Sequence, residues 1–188
     1  MIRSNLDLAR RLLSVGICAM FAYASAHAYA AQPFAVTSPG MADGGTLDGS
    51  HAASANSCGG GNVSPALQWQ NAPAGTNSFA VTIFDPDGAK GLGIVHWIVY
   101  GIAPATTGLA EGEAVPPGGV SGTNRTGGPG YYGPCPPVGE VPHHYVAQVY
   151  ALDLAPGALP AGLTRDAFLA AIKDHVLAAT STVLRYGR

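Results

Sequence analysis

Residues 78–102 read SFAVTIFDPDGAKGLGIVHWIVYGI, and the fold follows from this stretch. In its first part, Ser78–Asp85, Phe79, Val81 and Ile83 alternate with Ala80, Thr82 and Phe84, which puts the two sets on opposite faces of a β-strand. Its last part, Ile94–Ile102, does not alternate. It is β-branched or aromatic at almost every position, the pattern of a central strand covered on both faces. Working outward, Tyr145–Leu152 predicts a third strand of the same quality. Phe34–Thr37 and Ala66–Gln70 predict two short strands, and β-rich Thr180–Tyr186 a closing one. One helix is expected. It begins near Thr164 as N-cap, has Asp166 in its first turn, and carries Phe168, Ile172 and Val176 as an apolar stripe. Residues 38–65 and 103–142 read as loop.

Composition agrees with a mainly β domain. The 188 residues include 26 Gly and 15 Pro, too many breakers for a helical bundle. Apolar residues at 47% still suffice for a core. Nine Lys and Arg against eleven Asp and Glu leave no basic field for nucleic acid. At the N-terminus, Arg3, Arg10 and Arg11 precede or open the apolar run Leu12–Ala26, and Ala26-His27-Ala28 and Ala28-Tyr29-Ala30 offer small-residue cleavage patterns. That run falls short of the ~20 residues that span a bilayer. The pattern predicts a cleaved export signal over 1–30 and a single domain over 31–188, periplasmic or secreted, with no transmembrane segment after cleavage. Ile17 before Cys18 does not fit a lipoprotein signal. Cleavage leaves 6 basic and 10 acidic residues and two cysteines, Cys58 and Cys135. In an oxidising compartment these are a disulfide or two separate buried thiols.

The chain has no G-x-S-x-G elbow, no H-E-x-x-H, no P-loop and no C-x-x-C pair. Polar residues stand instead at strand ends: Asp85-Pro86-Asp87, His96 within the most apolar strand, the run Gly130–Pro137, and Pro142-His143-His144-Tyr145. Each alone has an ordinary structural reading, as turn chemistry, a satisfied core histidine, a connecting loop or a solvent-facing strand end. Together they point to a site, because a histidine among Val95, Trp97, Ile98 and Val99 is costly to bury unless paired. Asp85 is a candidate partner for it.

Five blocks in one order resemble the phosphatidylethanolamine-binding protein family, more closely its bacterial Raf kinase inhibitor-like branch. They are Asn62–Trp69, Asp85-Pro86-Asp87, His96-Trp97, Gly133-Pro134-Cys135-Pro136-Pro137 and His143-His144-Tyr145. The resemblance covers about Phe34 to Arg188. It implies a β-sandwich in which a large central antiparallel sheet packs on a smaller one, with a helix near the C-terminus. It also implies a pocket for small anions, either phosphate or phosphoethanolamine-type groups or carboxylates. Carried over by position, the ligand-binding residues are Asp85, His96, Tyr131, Gly133, Pro136, Pro137 and His143, with Tyr145 supporting them and Asp87 shaping the mouth. Two positions depart from the family pattern: His144 replaces an arginine, and Ile94 stands where many members have tryptophan. Both cysteines match members that carry the pair, which favours the Cys58–Cys135 bond.

The resulting expectation is a non-enzymatic protein without cofactor that binds a small anionic or phospholipid head-group ligand. The alternative is an inhibitor that contacts a protease or kinase. A metal-dependent or hydrolytic enzyme is less expected: the hydrolytic motifs are missing, and His143 and His144, adjacent on a strand, point to opposite faces, which disfavours both as ligands to one ion. Asp85 is expected to orient and help protonate an imidazole, and backbone N–H groups to point into the cleft.

Overall fold

Strands β4 (Ser78–Asp85) and β5 (Ile94–Ile102) pair antiparallel, with the bounds that their apolar runs predict. The computed structural model describes residues 32–188, so the expected export segment lies outside the described residues. Three short strands, β1 (Ala35–Thr37), β3 (Leu67–Gln70) and β6 (Gly108–Leu109), form a small sheet in the order β1-β3-β6. The large sheet adds β2 (Gly45–Thr46), β7 (Val120–Ser121), β8 (His143–Leu152) and β9 (Val176–Tyr186), in the order β2-β9-β8-β4-β5-β7. Its pairs are antiparallel except β2 with β9, which run parallel.

The apolar residues of β5 are shared between two cores. Trp97, Val99 and Ile102 join Phe79, Val81, Tyr145, Val149 and the small-sheet residues Val36, Leu67, Trp69 and Leu109 between the sheets. Ile98 and Tyr100 join Ala80, Tyr150 and Leu152 on the opposite face, under Phe168 and Ile172 of the helix. The layers are small sheet, large sheet and helix. A strand in the middle layer must be apolar on both faces, which is why β5 does not alternate.

The helix spans Arg165–Ile172, and Thr164 caps it by accepting the Ala167 N–H. It ends before Val176, although that residue is in phase with Phe168 and Ile172. Val176 instead opens β9, which pairs along all of β8 from Leu152↔Val176 to His143↔Tyr186. Ladder hydrogen bonds over eleven residues outweigh one further helical turn. Among the described residues, no helix is long and apolar enough to cross a membrane.

Candidate functional site

Strands β8, β4 and β5 are neighbours, and at one end of the sheet they bring together the start of β8, the end of β4 and the start of β5. Asp85, His96, His143 and Tyr145 therefore converge on one cleft of about 730 Å³. A β-bulge aims His96. Ile83 pairs with Trp97 but Phe84 pairs with Val95, which leaves His96 as the extra residue. The bulge turns its ring edge-on to Tyr145, with 5.1 Å between centroids.

The ionic centre is Asp85 with His143. The His143 Nδ1–H donates to Asp85 Oδ2 at 2.8 Å, while His96 Nε2 lies 3.9 Å from the same oxygen. Asp85 thus faces both histidines, and its hydrogen bond goes to His143 rather than to the expected His96. His96 Nδ1 donates to the Tyr132 carbonyl at 2.6 Å, so its Nε2 is the free nitrogen. Oδ1 of Asp85 accepts the Asp87 and Gly88 N–H groups, which fixes the carboxylate from behind. Burial works to raise the Asp85 carboxyl. The histidines at Oδ2 and the Gly88 N–H outweigh it, and the group rests below the ordinary carboxylate value. Burial likewise works to lower His143, but the Asp85 hydrogen bond and charge, then Glu140, carry it above 6.5. Burial pushes the Tyr145 hydroxyl up, so it stays protonated. Among the described residues, two buried polar atoms here have no hydrogen-bond partner: His96 Nε2 and Tyr145 Oη.

Asp87 sits at the mouth, where its Oδ2 accepts both the main-chain N–H and Nδ1–H of His144. His144 points away from His143 and is half exposed. Pro136, Pro137 and Ile94 line the walls. Tyr131 and Gly133 do not line the cleft. The Tyr131 hydroxyl donates to the His51 carbonyl, and its ring packs edge-on against Trp97 in the core. The Gly133 N–H is taken by Asn62 Oδ1, while Asn62 Nδ2 donates to the Tyr131 carbonyl. One asparagine thus fastens segment 131–133 to segment 51–62, and no Gly133 N–H is left for a ligand. The close approach that needs glycine at 133 is to backbone. A Cβ there would overlap the His51 carbonyl and lie 2.6 Å from Ala53 N. Gly133→Ala should therefore destabilise the fold by about 2–3 kcal/mol through overpacking. Chemical denaturation checks this, and an unchanged midpoint would contradict the packing.

Cys58 and Cys135 form a disulfide with 5.5 Å between Cα atoms, and Cys135 lines the cleft. Arg188 reinforces this junction by donating from Nε to the Pro136 carbonyl and from Nη1 to the Ser57 carbonyl. The sequence reading missed four charged wall residues: Lys90, Arg125, Arg165 and Glu140. A signal for three of them was present. Only six Lys and Arg follow residue 31, and half of them line this one cleft. Arg165 and Arg125 are braced over the Phe84 and Tyr132 rings. Among the described residues, no group of three or more His, Cys, Asp or Glu is placed to hold a metal ion.

Fold and site define a class: a two-sheet β-sandwich with one ionisable cleft at the end of its large sheet. The chain belongs to the phosphatidylethanolamine-binding protein family, whose model matches residues 37–187. It is 44% identical over 128 residues to the UPF0098 protein YbcL of Escherichia coli, covering 65% of this chain and 70% of that protein. It is 39% identical over 119 residues to UPF0098 protein YbhB of the same species, covering 61% and 75%. The crystal structure of E. coli YbcL, described as a new member of the mammalian PEBP family, superposes with a TM-score of 0.77 at 35% identity. That match covers 82% of this chain and 98% of that one.

Proposed function

We propose that this chain is an exported, non-enzymatic protein whose cleft holds a small anion: a phosphate, a phosphoethanolamine-type head group or a carboxylate. One observation carries the reading. Among the described residues, His96 Nε2 and Tyr145 Oη are buried without hydrogen-bond partners on cleft-lining residues, beside the charged Asp85–His143 pair. Leaving such groups unsatisfied costs about 1–3 kcal/mol each. A ligand oxyanion accepts from the Tyr145 hydroxyl, with His96 Nε2 facing the same cleft, and Arg125 and Arg165 supply positive charge. The family's name supports a phospholipid head group, and the disulfide supports an oxidising compartment, periplasmic or extracellular.

Binding is favoured over catalysis because the cleft's thiol and aliphatic hydroxyls are engaged, and burial keeps the Tyr145 hydroxyl protonated. Cys135 is in the disulfide, the Thr123 hydroxyl donates to the Leu163 carbonyl, and the Thr164 hydroxyl caps the helix. Purified protein should therefore show no phosphatase or esterase turnover. An activity abolished by Asp85→Asn in a folded protein would overturn this.

Contact with a protease or kinase is the second reading. It is favoured by Leu92 and Val141, more than 80% exposed beside cleft-lining segments. Under it, Leu92→Asp with Val141→Asp abolishes inhibition of the target; inhibition retained in that variant rejects this face as the contact. The main reading is tested by mass spectrometry of small molecules released from natively purified protein. A phosphorylated or carboxylated compound should come from wild type and not from His96→Ala, His143→Ala. Equal recovery from both, or none from wild type, would contradict it.

A further inference from the structure

Resting on the reading of the cleft as an anion site, one feature of His143 stands out: neither of its ring nitrogens is free to meet a ligand. Nδ1 is held by Asp85 at 2.8 Å and Nε2 by the Glu140 carboxylate at 3.3 Å. An imidazolium has two N–H donors, so both are spent within the chain.

The two carboxylates are not held alike. Asp85 is buried, and its second oxygen is fixed by two backbone N–H groups. The Glu140 side chain is 54% exposed. It belongs to the short segment between Pro137 and Pro142, whose Val138 and Val141 project into solvent and whose Gly139 has a φ of +83°. Among the described residues, the Glu140 carboxylate makes no other hydrogen bond. Main-chain bonds tie the segment, from Gly139 N–H to the Arg188 carbonyl and from Glu140 N–H to the Pro137 carbonyl, so among the described residues His143 alone holds the carboxylate itself.

We infer that Glu140 is a built-in competitor of the ligand. Its carboxylate occupies the His143 Nε2–H that a bound oxyanion must take, and the ligand enters by displacing it. Glu140 thereby sets specificity. A monocarboxylate meets an equal charge that is already tethered in place, which puts it at a disadvantage. A phosphate, with more oxygens to offer, also draws on Arg125 and Arg165 and displaces Glu140 more readily. The contact is half exposed, so its removal should change affinity only a few-fold.

The test titrates inorganic phosphate and acetate into wild type, Glu140→Ala and Glu140→Asp at pH 6 by calorimetry, with the His143 ring followed by NMR. Aspartate keeps the charge but is one methylene too short to reach Nε2 on the same backbone. Both variants should bind phosphate about 3–5-fold tighter, gain at least as much for acetate, and titrate His143 at lower pH than wild type. An unchanged Glu140→Ala affinity would overturn the inference. So would a Glu140→Asp protein that binds like wild type, because the effect would then be through-space charge rather than occupancy. If no protein binds either anion while the His143 titration still moves, the contact is real, but the anion-site reading fails and the inference with it.

Discussion

Replacing Cys58 and Cys135 together by alanine should cost about 4 kcal/mol and lower the melting temperature by roughly 10 °C, the largest effect expected of any change outside the core. The bond joins residues 77 apart in sequence, and closing a loop of that length removes much of the entropy of the unfolded chain. Its place adds a local effect. Cys58 follows Asn56 and Ser57, both in the left-handed region, and Cys135 precedes the cleft-wall prolines. Arg188 still bridges the two arms after the bond is removed, so the 131–137 segment should loosen rather than detach. Anion affinity should fall along with stability. Mass spectrometry of unreduced peptides from exported protein establishes the bond itself, and free thiols at both positions would refute it. A melting temperature within a degree or two of wild type would show that the junction is held by its hydrogen bonds instead.

Asp85→Asn should be the next largest, costing about 3 kcal/mol near pH 5.5. Asparagine can still accept the Asp87 and Gly88 N–H groups, but it leaves the buried His143 imidazolium with only the half-exposed Glu140 as its paired counter-charge. The pH dependence has a definite sign. His143 is raised in the fold, so its contribution is fully present below about 6.5 and is lost as pH rises through its folded value. Asp85 is lowered, so its contribution is present above about 3.9 and is lost as pH falls through its folded value. The gap between wild type and Asp85→Asn should therefore be widest between about pH 4 and 6.5 and narrow by pH 9. Urea unfolding at pH 5.5 and 9 measures it. Equal gaps at the two pH values would mean that the pair carries no charge coupling.

Local pattern carried the strands well and the site only in part. β4 and β5 could be bounded to the residue because apolar runs flank a turn and nothing in tertiary structure competes there. Val176 misled because three-residue and four-residue spacing cannot register the ten-residue partner strand that claims it. Strands as short as β2, β6 and β7 have no period to read. In the site, Asp85, His96, His143 and Tyr145 were legible as polar residues at strand ends. Their pairing was not. Asp85 meets His143 across 58 residues of chain, and the bulge that turns His96 depends on a neighbouring strand. Tyr131 and Gly133 were misplaced because a Gly- and Pro-rich loop gives no hint of which way it faces. Asn62 decides that from 69 and 71 residues away.

The central claim is that His143 and His96, with Tyr145 between them, hold a small anion at the end of the large sheet. Calorimetric titration of inorganic phosphate tests it most directly, from pH 5.5 to 8.5, in wild type and in the His96→Ala, His143→Ala protein. After correction for phosphate's own ionisation, wild-type affinity should weaken as pH rises through the raised His143 titration. The double variant should bind at least tenfold more weakly at pH 5.5 and show no such trend. Equal affinity in the two proteins, or a wild-type affinity that does not change with pH, would contradict the account.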